Sequence, residues 1–405
     1  MIEWNETELA IRDMVRRFVE AEIKPQLDEL EHGETPPYAV LRKMFAAFGL
    51  REMARVNFEK QIERERQREA KVSDSAAETE ARAENVALRI IPIIELSRYC
   101  PGMVTALGVS VGLTAGTIMA RGTIPQKERW ALDLLTLDKI GAWAITEPTS
   151  GSDAFGSMKS TARRNGSGYV LNGSKTFITN GPHADTIVFI CKLDEGNEPR
   201  ERKVLSFVLE RGTPGLTQTK PLRKMGLHSS PTGELFLEDV QVGVDQLLGE
   251  SENVEYRSGA KETFTAERTG VAAMALGIVE QCLKLSIDYA KTRVQFGRTI
   301  GEFQLIQLKL ARMEVARTNI QNIVFRIIEL ARAGKRMNLA EASACKLYCA
   351  QAAMEVALEA VQLFGGNGYM AEFQVEQLCR DAKVLQIYGG TDEIQISQIA
   401  RSLLG

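Results

Sequence analysis

The chain of 405 residues predicts an α+β multidomain protein: a helical N-terminal domain over 1–138, a middle antiparallel β domain over 139–250 and a helical C-terminal domain over 251–405. Two observations predict this order. From residue 5 to 50, and again after 262, apolar residues recur at spacings of three and four, the period of one helix face. Between these regions the runs GYVLNGSKTFIT, TIVFICKL, VLSFVLE and GELFLEDVQV are rich in β-branched and aromatic residues and are punctuated by Gly, Pro, Asn and Asp. A third observation bounds the size: the length, with 44% hydrophobic residues, exceeds that of one ordinary domain. No internal repeat is detectable.

The elements follow in order. Leu9, Met14, Val15 and Phe18 mark an amphipathic helix, and Glu34-Thr-Pro-Pro37 breaks the helical pattern. Residues 59–84 are about half charged with both signs mixed, which predicts either a solvated helix laced with local ion pairs or a mobile excursion. Residues 102–117 are apolar but small, suited to close helix packing or to leaving room beside a ligand. In the last domain Phe264, Glu267, Val271, Met274, Ala275, Ile278, Cys282 and Leu285 fall on one stripe of a long helix. Further helices are predicted at about 302–332, 338–363, 370–386 and 391–404.

Composition excludes some functions. Fifty-three acids against 50 bases give a net charge of −3, with no basic excess to neutralise phosphates, so nucleic acid is not an expected partner. The start lacks the pattern of a secretory signal and no unbroken apolar run reaches membrane-spanning length, so a cytoplasmic protein without a membrane span is expected. Six scattered cysteines and three histidines form no metal-ligand spacing; Cys345 and Cys349 share a helical face without completing a site. Reduced thiols and no metal are the expectation.

Three stretches carry polar groups suited to chemistry. In WAITEPTSGSDAFG, residues 143–156, a predicted strand enters a loop crowded with Thr, Ser and Gly, which brings hydroxyls and amides to a polar ligand or forms an ordinary turn. Glu267 lies on an apolar stripe and is followed by Arg268; its carboxyl is either displaced in pKa or, near a helix start, set against the helix dipole. QIYGGTDEIQ, residues 386–395, offers backbone amides at Gly389 and Gly390 but no side chain.

Together these stretches resemble the acyl-CoA dehydrogenases. AITEPTSGSDAFG resembles the family's first signature, RDAKVLQIYGGTDEIQ with LFGGNGY its C-terminal one, RVQFGRTIGEFQ its cross-subunit flavin segment and KTFITNG its flavin-contacting strand. The resemblance implies a C-terminal four-helix bundle, a homotetramer built as a dimer of dimers, FAD between the β domain and the bundle, an acyl-CoA substrate and an electron-transfer flavoprotein as acceptor. By similarity Trp143, Ile145, Thr146, Gly151, Ser152, Phe177 and Thr179 surround the flavin, Phe177 standing where the family often has Trp. Arg293, Gln295, Phe296, Phe303, Gln304, Gln362 and Gly366 match contacts to its adenosine and diphosphate, partly from a neighbouring subunit, and Thr391 and Glu393 complete the site. Ser152, Thr265, Arg268, Gly389 and Gly390 match substrate contacts.

The implied reaction is α,β-dehydrogenation of the thioester to a 2-enoyl-CoA. Many members carry the catalytic glutamate at the first glycine of QIYGGTDEIQ, where this sequence has Gly389. A smaller set, including long-chain and isovaleryl-CoA types, carries it on the helix before the flavin arginine segment, directly preceding an arginine. That position here is Glu267, in FTAERTG. The resemblance then leaves Gly389 its amide, one of two donors to the thioester oxygen, the other being a ribityl hydroxyl of FAD. A non-catalytic flavoprotein subunit of a hetero-oligomer and an acyl-CoA oxidase are the alternative readings.

Overall fold

The computed structural model describes residues 3–70, 78–253 and 256–405, with side chains described over 3–67, 86–253 and 265–405. The N-terminal helices are α1 (Glu6–Phe18), α2 (Leu27–His32), α3 (Tyr38–Ala47), α4 (Leu50–Ala70), α5 (Glu78–Ser97), α6 (Pro101–Leu107), α7 (Gly116–Arg121), α8 (Ile124–Gln126) and α9 (Leu132–Leu135). Asn5 caps α1: its side chain accepts from the Glu8 amide while Glu8 accepts from the Asn5 amide, both at 2.9 Å. Val15 and Val19 are buried, but Met14, placed on the apolar face by spacing, is 39% exposed. The break at 34–37 falls between α2 and α3.

The charged stretch from 59 to 70 is the second half of α4. It is anchored rather than wholly solvated. Phe58 and Ile62 are buried in a cluster with Ile118, Trp130 and Val188, and Arg66 pairs with Glu128 at 2.7 Å while Lys127 pairs with Glu65. The two ion pairs span 62 residues of sequence, so the mixed charge is only partly local. Residues 71–77 of that stretch, and the side chains to 85, lie outside the described residues.

The middle of the chain forms a seven-stranded sheet of β1 (Gly141–Ala144), β2 (Thr161–Asn165), β3 (Gly168–Thr179), β4 (Thr186–Leu193), β5 (Val204–Glu210), β6 (Leu216–Gln218) and β7 (Thr232–Gly243). Its order is β1-β4-β2-β3-β7-β6, with β5 on the other edge of β4. Most pairings are antiparallel, as the spacing of turns predicts. β4 departs from this: β1 and β2 lie along one of its edges in parallel register, Gly141 opposite Thr186 and Thr161 opposite Lys192. That position explains why all eight residues of β4 are buried and why its sequence is a continuous apolar run rather than an alternating one.

The C-terminal helices are α10 (Tyr256–Thr292), α11 (Gln304–Arg332), α12 (Leu339–Phe364), α13 (Val375–Val384) and α14 (Asp392–Leu404). A small hairpin, β8 (Val294–Gln295) and β9 (Arg298–Thr299), joins α10 to α11. Val271, Met274, Ala275, Ile278 and Cys282 on α10 are buried, and one continuous core links them to Val15, Leu41, Ile94 and Met103 of the N-terminal helices. The β domain has its own core around Leu171, Phe189 and Phe207. All six cysteines are free.

Two stretches, Pro101–Arg121 and Thr265–Thr292, are long and apolar enough to cross a bilayer, where the sequence reading expected none. Neither is an unbroken apolar run: they carry polar residues such as Thr105, Ser110, Glu267 and Gln281. The second is the C-terminal three-quarters of α10, packed between α5, α11 and α12, and its apolar length serves the protein core.

Polar groups fix the domains to one another. Asn180, buried with φ +63°, donates to Ala106 O and Gly141 O, both at 2.9 Å, and accepts from Tyr38 Oη at 2.9 Å. The loop 224–230 is wedged between the helical domains: Asp381 on α13 accepts from the Leu227 amide at 2.5 Å, and His228 Nδ1 is 2.8 Å from the Glu31 carbonyl. Burial and the Asp381 carboxylate push Glu31 up to about 8, against the pull of Arg380 and a Ser229 backbone bond, with Glu376 adding to the rise. His228 Nδ1 is 3.8 Å from the Glu31 carboxylate.

The folded state therefore holds the Glu31 proton after the unfolded chain, at 4.5, has released it. This contribution is complete below the unfolded value, fades as pH rises and is gone above about 8. Thermal denaturation across that window is expected to show the native chain losing stability relative to Glu31→Gln, by a few kcal/mol at most. A difference between the two that is flat with pH contradicts the assignment.

Candidate active site

The first part of the site is built on β1 and the loop that follows it. Glu147 and Ser150 exchange backbone bonds at 3.0 Å, closing a tight turn around Pro148 and Thr149. The Glu147 carboxylate accepts from the Lys159 amide at 2.7 Å, the Ser160 amide at 2.9 Å and Lys175 Nζ at 2.8 Å. Lys175, on β3 and fully buried, also donates to Ile145 O at 3.0 Å. Burial opposes charge on Glu147, but Lys175 and the amides outweigh it and hold the carboxyl below its usual range. This pair fixes both ends of the 145–160 loop. The sequence reading named neither residue; the one signal was an acid directly after an apolar strand.

Held in this way, the loop presents Gly151 and Ser152 to solvent, and a Cβ at Gly151 would meet nothing within 4 Å. Trp143, Ile145, Thr146 and Thr179 are half-buried around the β1–β3 seam, where the Thr176 amide donates to Thr146 O at 2.9 Å. The indole Nε1 of Trp143 is buried without an acceptor among the described residues. Phe177 sits at a bulge between Lys175 and Ile178 with φ +56°, and its ring is 69% exposed. A left-handed aromatic residue costs about 1–2 kcal/mol, and burial of the ring does not repay it. An orphan donor, open glycine and outward ring together fit a flat polar ring system laid on this face.

The second part lies where α10 passes the diglycine. α10 begins at Tyr256, so Glu267 stands about three turns inside it and the helix dipole does not explain it. A Cβ built on Gly389 would lie 3.5 Å from the Glu267 carboxyl carbon and from Oε1. The carboxyl and the bare face of Gly389 are thus neighbours. Burial raises the pKa of Glu267, opposed by Arg268 and then Lys346, while the residue as a whole keeps some solvent access.

Gly389 and Gly390 have φ of +62° and +89°. Their carbonyls turn inward: Gln395 Nε2 donates to Gly389 O at 2.9 Å and to Gly390 O at 2.8 Å, and Lys346 Nζ donates to Gly390 O at 2.8 Å. The amides of both glycines have no acceptor among the described residues. Gly389→Ala is expected to lose activity, since a side chain at φ +62° is strained by about 1–2 kcal/mol and its methyl would occupy the open face in contact with the Glu267 carboxyl, at 3.5 Å. Turnover and melting temperature measured together check this; an unchanged alanine variant contradicts the neighbour relation.

Arg268, matched by resemblance to a substrate contact, is 5% exposed and donates through Nη1 to Ser343 Oγ on α12 at 2.9 Å, while its Nη2 stands 3.7 Å from where a Cβ on Gly390 would lie. Thr265, two residues before Glu267 on α10, is half-buried. Thr391 caps α14, accepting from the Ile394 amide, and Glu393 is in the first turn. The backbone of Glu393 itself, and then Thr391, hold the Glu393 carboxyl below its usual range.

The remaining predicted cofactor residues form a separate group. Arg293, Gln295, Phe296 and Gln304 are exposed around the β8–β9 hairpin, with Phe296 at 93%. Phe303 carries Arg298 over its ring at 4.1 Å. Gln362 and Gly366 are exposed at the same end of the bundle, where Asn367 donates to Tyr289 Oη at 3.0 Å. The 26 residues from Glu267 to Arg293 correspond to roughly 39 Å of helix. One chain therefore does not bring the two groups to one small region, and the exposed hairpin is free to reach a site elsewhere.

With this geometry in view, comparison with known proteins is specific. Residues 258–404 match the acyl-CoA dehydrogenase C-terminal domain, 142–240 its middle domain and 5–72 its N-terminal domain. The chain is 39% identical over 315 residues to the short-chain specific acyl-CoA dehydrogenase of Megasphaera elsdenii, covering 78% of this chain and 81% of that one. It is similar to the solved butyryl-CoA dehydrogenase of the same organism, with TM-score 0.84, 32% identity and full coverage of both. It is also similar to a Mycobacterium smegmatis glutaryl-CoA dehydrogenase in complex with FADH2, with TM-score 0.83, 27% identity and coverage of 99% and 95%.

Proposed function

The chain belongs to the acyl-CoA dehydrogenase family, and on that footing we propose that Glu267 is the base of an FAD-dependent α,β-dehydrogenation of an acyl-CoA thioester. The observation that carries the assignment is the Glu267 carboxyl set against the bare face of Gly389. When bound, FAD supplies the acceptor for the β-hydrogen, which leaves with its electron pair. Trp143, Thr146, Thr179 and Phe177 would hold its ring system, and Thr391 and Glu393 would complete that side.

The protein's own part concerns the other hydrogen. The α-proton of a thioester is too weakly acidic to leave unaided, so charge developing on the carbonyl oxygen has to be stabilised as the proton departs. The Gly389 amide, without an internal acceptor, is suited to that oxygen. Glu267 takes the proton from the α-carbon; the electrons of that C–H bond become the new double bond as the β-hydrogen leaves. Burial raises the proton affinity of Glu267 toward the range useful near neutral pH, and Arg268 and Lys346 limit the rise.

Two indications bear on the substrate. The short-chain and butyryl-CoA relatives make butyryl-CoA the first thioester to test. A base on α10, the arrangement of the long-chain and isovaleryl types that the sequence resembles, favours longer or branched acyl groups. Turnover of butyryl-, isovaleryl- and palmitoyl-CoA with a dye acceptor ranks them; absence of turnover with every thioester by FAD-loaded protein sinks the enzymatic reading.

An electron-transfer flavoprotein is the proposed acceptor and a homotetramer the proposed assembly. The exposed apolar side chains Phe296, Leu305, Val315 and Tyr369 support burial of the far end of the bundle by another subunit.

A further inference from the structure

We propose that Lys346 is a positioning residue for the dehydrogenation: its buried ammonium clamps the Gly390 carbonyl and sets the diglycine against Glu267 while lending that carboxylate a fixed positive neighbour. The inference rests on Glu267 being the base. Lys346 projects from α12, an Ala-rich helix, and its side chain has no solvent access. A buried ammonium is costly unless its hydrogen-bonding capacity is used. Its contacts are the Gly390 carbonyl at 2.8 Å and Asp392 Oδ1 at 3.7 Å. The Asp392 carboxylate is itself held through Oδ2 by Gln351 at 3.2 Å and Gln386 at 3.0 Å, so the ammonium sits in a fixed frame.

The consequence for the site is geometric. A trans peptide places its carbonyl and amide on opposite sides. Pinning Gly389 O through Gln395 and Gly390 O through Gln395 and Lys346 directs the Gly390 and Thr391 amides away from the interior and fixes the left-handed turn that carries Gly389. Gln395 Nε2 has one N–H for each carbonyl, and Lys346 adds a second, charged donor to Gly390 O. The charge has a second effect. Glu267 is faced by Arg268 on its own helix, by Lys346 on α12 and by Tyr388 beside the diglycine, with Asp392 behind the lysine. Of these, Arg268 and Lys346 favour its ionised form.

The test is the pH profile of single-turnover flavin bleaching, using FAD-loaded enzyme and the fastest thioester of the panel above. In Lys346→Met the acid limb, which reports protonation of the base, is expected to move to higher pH by about one unit, with a plateau rate lowered about tenfold. Lys346→Arg, which keeps the charge, is expected to leave the limb near its native position. A merely structural lysine predicts a uniform slowing with the limb unmoved, and that result, or an unchanged profile, overturns the proposal. If Lys346→Met does not retain FAD, Lys346→Gln is read by the same criteria. Glu267→Gln separates the two claims: a native rate and limb in that variant removes Glu267 as base, whereas an unmoved limb in Lys346→Met alone removes only the lysine.

Discussion

Glu267→Gln is expected to keep FAD bound and to lower turnover by about 10²- to 10⁴-fold, the range that loss of a positioned general base produces. The amide occupies the same volume, so packing against the bare face of Gly389, where a Cβ would stand 3.5 Å from the carboxyl, is kept. It removes only the lone pair that accepts the proton. It also removes a group whose ionisation burial opposes, so the variant is expected to melt no lower than the native chain. Loss of activity with full FAD occupancy and an unchanged melting temperature places the defect in the chemistry. Full activity removes Glu267 from the role.

The second large effect concerns stability. Glu147→Ala leaves Lys175 fully buried with no carboxylate, and also frees the amides of Lys159 and Ser160. Removing one partner of a buried pair costs about 3–5 kcal/mol. The 145–160 loop, released at both ends, is expected to bind FAD more weakly as well. Lys175→Met combined with Glu147→Leu takes away both charges and is expected to be milder than the single change, which a double-mutant comparison of denaturation midpoints measures. A single Glu147→Ala variant that melts within experimental error of the native chain contradicts the role given to the pair.

Much of this was legible in the sequence where chemistry is local. The runs 168–179, 186–193 and 204–210 coincide with β3, β4 and β5 because each is apolar and β-branched and ends at turn residues. The strands β2, TARRN, and β6, LTQ, were not legible: they are short and mostly polar, and they are strands because β3 and β4 lie beside the first and β7 beside the second. The same holds for side chains. Glu267 stands out in the sequence as a carboxylate on an apolar helix stripe, and its reading as the base comes from the resemblance of FTAERTG, with glycine at 389, to one branch of the family. Glu147 with Lys175, Asn180 with Tyr38, and Lys346 with Gly390 were not legible, since each pair is joined across 28 or more residues. The bond from Arg268 to Ser343, across 75 residues, was hidden for the same reason: a motif states which residue is present and not what it meets.

The most direct measurement of the central claim follows the proton itself. FAD-loaded enzyme and acyl-CoA are incubated in deuterium oxide without an electron acceptor, so that the reaction runs forward and back, and deuterium at the α-carbon is read by mass spectrometry. The native chain is expected to incorporate deuterium at that carbon and Glu267→Gln to incorporate almost none over the same time. Incorporation at the native rate by the glutamine variant would mean that another group removes the α-proton.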